Sequence, residues 1–303
     1  MLTPLFFLPA AYGVASSYLY TLIILMMIRR WNEYNTAFFK LFIIEYVFNM
    51  VTFANSFVTL RAPQNTCNNC TFAFLFERNS STEEDNFPLQ VFFTIHYCMA
   101  FIQYFMTFLS SLNRLTMVFF VDSYEKIWRP SLPFLIMIVI IFPMIMTWPI
   151  ATNNAYFIYS PTLGGFATKT VANSTEVLNS LVTFMIVFTL FTATANIVSI
   201  IRLTLLPTRI SGAERNLFTV SFVSFIIQLL ALGDTLILRA APSEGMSVGA
   251  QTAKALMPFV SDILTFNHPW TIMYFSTKVR TSMATDHFPS LRSRAVMVTS
   301  SVY

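Results

Sequence analysis

Few side chains in this sequence can do polar chemistry, and most of those that can stand inside apolar runs. In SSLNRLTMVFF, residues 110–120, Asn113 and Arg114 enter a stretch of Phe, Leu, Met and Tyr that begins near Val91. Glu45 and Asn49 lie one helical turn apart in an earlier run, and Asp262, Asn267, Pro269 and Tyr274 mark a late one. His96, Gln103 and Asp234 interrupt others. An ionisable group in such surroundings is by default a candidate for ion or proton binding, helix-to-helix hydrogen bonding or charge recognition. Catalysis is a poor fit. The chain has no HExxH, P-loop, GxGxxG or GxSxG pattern, and His96, His268 and His287 are far apart in sequence. No catalytic residue, metal or cofactor is expected.

These residues must be positioned by apolar elements. The 303 residues are 55% hydrophobic and 11% charged, with 33 Phe and 16 Met, and the mean hydropathy is +0.63. A soluble domain carries about 25% charged residues, so the composition predicts an integral membrane protein. Seven Gly are few for a β-rich fold. The net charge of +4 reads as orientation signal and not as nucleic-acid affinity, because the Lys and Arg are scattered between apolar runs. A spanning helix needs about 20 apolar residues. Seven are predicted, over 5–28, 37–58, 88–116, 132–152, 180–203, 216–239 and 252–276. The fold class expected is an all-α bundle, with residues 1–277 as the membrane domain and 278–303 as a tail. Met1-Leu2-Thr3-Pro4 lacks the basic start of a signal peptide, so the first run is expected to be retained as a span.

Two signals orient the bundle. With the N-terminus outside, thirteen Lys and Arg fall on the inner side and five on the outer, namely Arg61, Arg78, Lys169, Arg239 and Lys254. That is a positive-inside bias. Glycosylation sequons at Asn69, Asn79 and Asn173 all lie on the side so assigned to the exterior. The first outer loop, about 59–87, is long and polar, and Cys67 and Cys70 within it are close enough to pair or to stay free. The second carries YFIYSPTLGGFATKTV, two strand-like runs about Leu163-Gly164-Gly165 that suggest a hairpin lid. Inner loops are short and basic, and SYEKIWRP offers Tyr124, Lys126, Trp128 and Arg129 to a membrane interface or a partner helix. Ser276–His287 suggests a surface helix with Lys278 and Arg280 towards lipid headgroups.

Depth gives Arg114 its first reading. It stands 26 residues after Pro88, or about 39 Å along a helix at roughly 1.5 Å per residue. This exceeds a hydrocarbon core of about 30 Å, so the guanidinium reaches the inner interface and can serve as a snorkelling anchor. Its neighbours add a second reading. Asn113-Arg114 at the inner end of a third span resembles the acidic-Arg-aromatic triplet of the rhodopsin-like receptors, with Asn in place of the acid. Asn267, Pro269 and Tyr274 resemble that family's N-P-x-x-Y region with altered spacing. The chain lacks the family's disulfide from span 3 to the second outer loop, since Leu89 occupies the span 3 position and residues 153–179 contain no Cys. Spans 5 and 6 contain no proline, which leaves Gly233 as a substitute hinge.

A nearer resemblance covers most of the chain. FFKLFIIEYVFNMVTFANSFVTLRAP, LSSLNRLTMVFF followed by SYEKIW, GAERNLFTVSFVSFIIQLL and SDILTFNHPW resemble the nematode serpentine chemoreceptors of the class gamma group, with class v a near alternative. The resemblance implies a multi-pass receptor of the plasma membrane of a sensory neuron, coupled to a heterotrimeric G protein and responding to a small-molecule ligand. It points to Asn113, Arg114, Tyr124, Lys126 and Trp128 as the coupling face. Glu45, Asn49, Asp262 and Asn267 are expected to form a polar core cluster that biases the resting state, with Pro269 and Tyr274 in the same switch region. About four residues precede the first span, so a ligand is expected within the bundle, near His96, Gln103 and Asp234. The rival readings are a ligand-gated channel or transporter, which the charge bias and the lack of repeats oppose, and an orphan with a developmental or trafficking role.

Overall fold

The computed structural model describes residues 4–70, 72–77, 89–161, 164–171, 174–205, 212–240 and 248–287. Among them seven long helices follow the apolar runs: α1 (Pro4–Arg29), α2 (Ala37–Ser56), α3 (Leu89–Phe119), α4 (Tyr124–Ala151), α5 (Ser174–Leu205), α6 (Gly212–Ala240) and α7 (Val248–Phe275). A shorter α8 (Thr277–His287) comes after them. Six of the seven long helices are long and apolar enough to cross a membrane. The seventh, α7, is as long but carries Asp262, Asn267 and His268, all buried against the bundle.

Most helix ends depart from the expected spans, α5 starting at Ser174 and not at 180, and two of the departures have polar causes. The second helix does not stop at residue 58. It passes through a π turn, Phe57–Arg61, and continues over Ala62–Gln64. The extra residue of a π turn rotates the next helical turn by roughly 100°, and Arg61 is swung into the protein, where it is 2% exposed. It is therefore not the loop charge that the sequence suggests. The fourth helix starts at Tyr124, ahead of the apolar run at 132. Its first turn is held by Tyr124 and Trp128, which bond back to α3, so part of the expected inner loop is helical.

The core is centred on α3, which touches α2, α4, α5 and α6. Phe101, Met106 and Leu109 of α3 pack with Leu41, Trp128, Val139 and Phe184 in one apolar cluster. A second cluster joins α1, α2, α7 and α8 through Tyr20, Met27, Phe42, Phe266 and Val279. Outward-facing surface is equally apolar: Phe134, Met137, Ile141, Met144, Ile145 and Trp148 of α4 are all exposed. A helix that is hydrophobic all round belongs in lipid.

At one end of the bundle sits the hairpin that the Gly pair suggests, β1 (Ala155–Ser160) and β2 (Gly165–Thr170), antiparallel with Ala155 opposite Thr170. Gly164 takes φ 66° at the turn, a left-handed value natural to glycine. Gly165 lets the strand press on the extension of α2: a Cβ there would stand 2.2 Å from the Gln64 carbonyl oxygen. Thr168 Oγ1 donates to the Thr59 carbonyl oxygen at 3.1 Å. Cys67 and Cys70 are disulfide-bonded with their Cα atoms 5.2 Å apart, within the usual range for a bridge, and Asn69 is exposed between them. Asn79 and Asn173 lie outside the described residues.

Candidate functional site

The polar residues that interrupt the spans meet at three levels along the bundle axis. At the hairpin end Arg61 forms an ion pair with Asp262 of α7. Its guanidinium carbon lies 4.7 Å from the Phe53 ring centre and 4.6 Å from that of Phe57. A desolvated cation gains from both the carboxylate and the two aromatic faces. One level down, Gln103 Nε2 donates to Thr265 Oγ1 at 2.9 Å and to Asn49 Oδ1 at 3.5 Å, joining α3, α7 and α2. Below that, His268 Nδ1 is 2.7 Å from Glu45 Oε2, and Ser224 Oγ of α6 donates to Asn267 Oδ1 at 2.7 Å. The four polar residues expected in one cluster are thus strung along the axis, each bonded to a partner on another helix. Two of those partners, Arg61 and His268, are not among the sequence candidates. The signal for them is the acids themselves, because an acid inside a span needs a polar partner.

Pro269 is buried within a continuous α7. Tyr274 is 73% exposed, so α7 turns it away from the other switch residues and towards the lipid side.

At the end away from the hairpin the Asn-Arg pair is fully enclosed. Arg114 is 3% exposed, with its guanidinium carbon 3.5 Å from the centre of the Phe38 ring and Nη1 3.4 Å from Met117 Sδ. Tyr124 donates its hydroxyl proton to Asn113 Oδ1 at 2.9 Å, and the Trp128 indole donates to Thr116 Oγ1 at 2.6 Å. The Ala37 amide at the start of α2 donates to Glu125 Oε1 at 3.0 Å, which satisfies one of the free N–H groups of a helix start. Asn113, Arg114, Tyr124 and Trp128 therefore form one buried junction of α2, α3 and α4, while Lys126 is exposed. Phe38 also lines a void of about 10 Å³ with Glu45, Ser110, Ser221 and His268, so the level of Glu45 abuts the ring under Arg114.

Nearby, α8 is tied to the turn between α1 and α2. Arg30 pairs with Asp286, Tyr34 donates to Ser282 Oγ at 2.9 Å, and Lys278 Nζ donates to the Glu33 carbonyl oxygen at 2.7 Å. The hydrogen bond to Asp286 raises the pKa of Arg30, and burial raises that of Tyr34. Lys278, expected to face lipid headgroups, is thus engaged with protein.

His96, Gln103 and Asp234 come together in the wall of one cavity of about 140 Å³ towards the hairpin end, between α2, α3, α5, α6 and α7. Leu60 and Ser261, which adjoin Arg61 and Asp262 in sequence, line it as well. Gln103 belongs both to this wall and to the middle polar level. Gly233, one residue from Asp234, has open space where a Cβ would stand. Among the described residues no group of three or more His, Cys, Asp or Glu could hold a metal ion.

A bundle of long lipid-compatible helices, with polar bonds crossing its interior and a cavity near one end, defines a multi-pass membrane protein of serpentine build. The sequence model of the Srg family chemoreceptor matches residues 6–283, and the chain belongs to that family. It is 29% identical over 292 residues to serpentine receptor class gamma-31 of Caenorhabditis elegans, covering 93% of this chain and 92% of the relative. Serpentine receptor class gamma-13 of the same organism is 29% identical over 191 residues, 62% of this chain and 55% of that one. Serpentine receptor class gamma-2 is 23% identical over 201 residues, 65% and 60% respectively.

Proposed function

We propose that this serpentine chemoreceptor is a seven-span receptor of the plasma membrane of a sensory neuron, with the N-terminus outside and the tail from residue 278 inside. It binds a small molecule in the cavity near the hairpin and activates a heterotrimeric G protein through the junction at Arg114. The observation that carries this reading is the position of Gln103, in the cavity wall and in bonds to α2 and α7. A ligand that favours one arrangement of these helices shifts the population towards it. The levels at Glu45–His268 and Phe38 then pass the change to Arg114, Asn113 and Tyr124. Seated under Phe38, Arg114 is withdrawn in the resting arrangement and becomes available when α2 and α3 part.

The test is nucleotide exchange on a G protein co-expressed with the chain in membranes, stimulated by a panel of small molecules. A stimulus found on the wild type is expected to lose most of its effect in Arg114→Ala and in Ala231→Trp, which fills the cavity. An undiminished response in Arg114→Ala contradicts the coupling role, and one in Ala231→Trp contradicts the cavity.

A further inference from the structure

Three described acidic side chains inside the bundle invite the same question: which protein group does each face? Glu45 has His268 and Asp262 has Arg61. Asp234 of α6 has no ion pair or hydrogen bond among the described residues, although it is only partly exposed and stands in the wall of the cavity. Among the described residues no Lys or Arg lines that cavity. Arg61, next to the wall residue Leu60, already has Asp262 as its counter-charge.

Apart from the His96 imidazole, the described remainder of the wall has no ionisable acid or strong base. Thr52, Ser56 and Gln103 offer hydroxyl and amide groups, while Leu181, Met185 and Leu264 offer aliphatic and thioether surface. A carboxylate partly withdrawn from water and without a protein partner attracts a cation more strongly than one on an open surface. It also repels an anion, and it binds a neutral hydroxyl less well than a charge-assisted donor.

We propose that the cavity is selective for a protonated monoamine with an apolar tail, its ammonium group on Asp234 and its tail against Leu181, Met185 and Leu264. This assignment rests on reading the cavity as the stimulus site and adds the chemical class of the stimulus. The ammonium donates up to three hydrogen bonds, one to Asp234 and the others to neutral oxygens of the wall. The tail gains by leaving water.

Purified receptor in nanodiscs is titrated with hexylamine and 2-phenylethylamine, each beside the alcohol and the carboxylate of the same carbon skeleton. Binding is read as the concentration-dependent rise in unfolding temperature. The amines are expected to bind at least about tenfold more tightly than the alcohols, and the carboxylates not measurably. In Asp234→Asn the amine advantage is lost and alcohol binding is unchanged. That variant is nearly isosteric and breaks no hydrogen bond or ion pair among the described residues, so it is expected to fold with the wild-type unfolding temperature.

Alcohols that bind as well as the amines, with binding abolished by Ala231→Trp, overturn the amine assignment and leave the cavity standing as a ligand site. Amine binding that survives Asp234→Asn but not Ala231→Trp does the same. Amine binding indifferent to both substitutions, or no binding by any probe, overturns the assignment.

Discussion

Among the described residues two arginines are buried in this bundle, and each is accommodated differently. Arg61 has a full counter-charge in Asp262 and two aromatic faces; Arg114 lies on the face of Phe38 beside the neutral Asn113–Tyr124 bond. Removing one partner of a buried pair leaves the other charged and desolvated, which costs about 3–5 kcal/mol, whereas replacing both with apolar side chains is far milder. Asp262→Asn is therefore expected to lower thermal stability in detergent markedly, and the double variant Arg61→Met with Asp262→Leu to restore most of it. At Asn113 no acid precedes the arginine, and in the proposed coupling mechanism the bond from Tyr124 serves as the lock. Tyr124→Phe removes that one hydrogen bond, a loss of about 1 kcal/mol, and is expected to raise basal nucleotide exchange several-fold at little cost in expression. The sequence made Asn113 and Arg114 visible because they break an apolar run, and Tyr124 because it stands in the SYEKIW segment that follows. Arg61 was hidden, since its burial depends on a π turn and on an acid 201 residues away in the chain, and neither leaves a local pattern.

At the scale of elements, apolar runs marked all seven long helices, and glycines marked the hairpin. The ends were legible only where apolarity sets them. The start of α4 is fixed by Tyr124 and Trp128 bonding to α3, and the extension of α2 by its contact with β2, both long-range effects. Trp128, whose type suits a membrane interface, is instead 2% exposed between helices. The hairpin is docked on α2 by the close approach at Gly165, so it covers the helix that carries Arg61. Gly165→Ala would force its Cβ onto the Gln64 carbonyl, an overpacking cost of about 1–3 kcal/mol. The expected outcome is faster hydrogen exchange over residues 155–170 with little change in α3; unchanged exchange would contradict the docking.

For the whole molecule, the account turns on which end faces which compartment. The cavity, the hairpin, the disulfide and the exposed Asn69 gather at one end. Arg114, the α8 ties and most of the described basic residues gather at the other. Setting the buried Arg61 and Arg114 aside changes the charge tally from thirteen against five to twelve against four, which strengthens the positive-inside bias. The most direct test is labelling of epitope tags at the two termini in intact and in permeabilised cells. An N-terminal tag labelled on intact cells, with a C-terminal tag reached only after permeabilisation, is the predicted result. The reverse pattern would put the cavity in the cytoplasm and the Arg114 junction outside, and would contradict both the stimulus site and the coupling face.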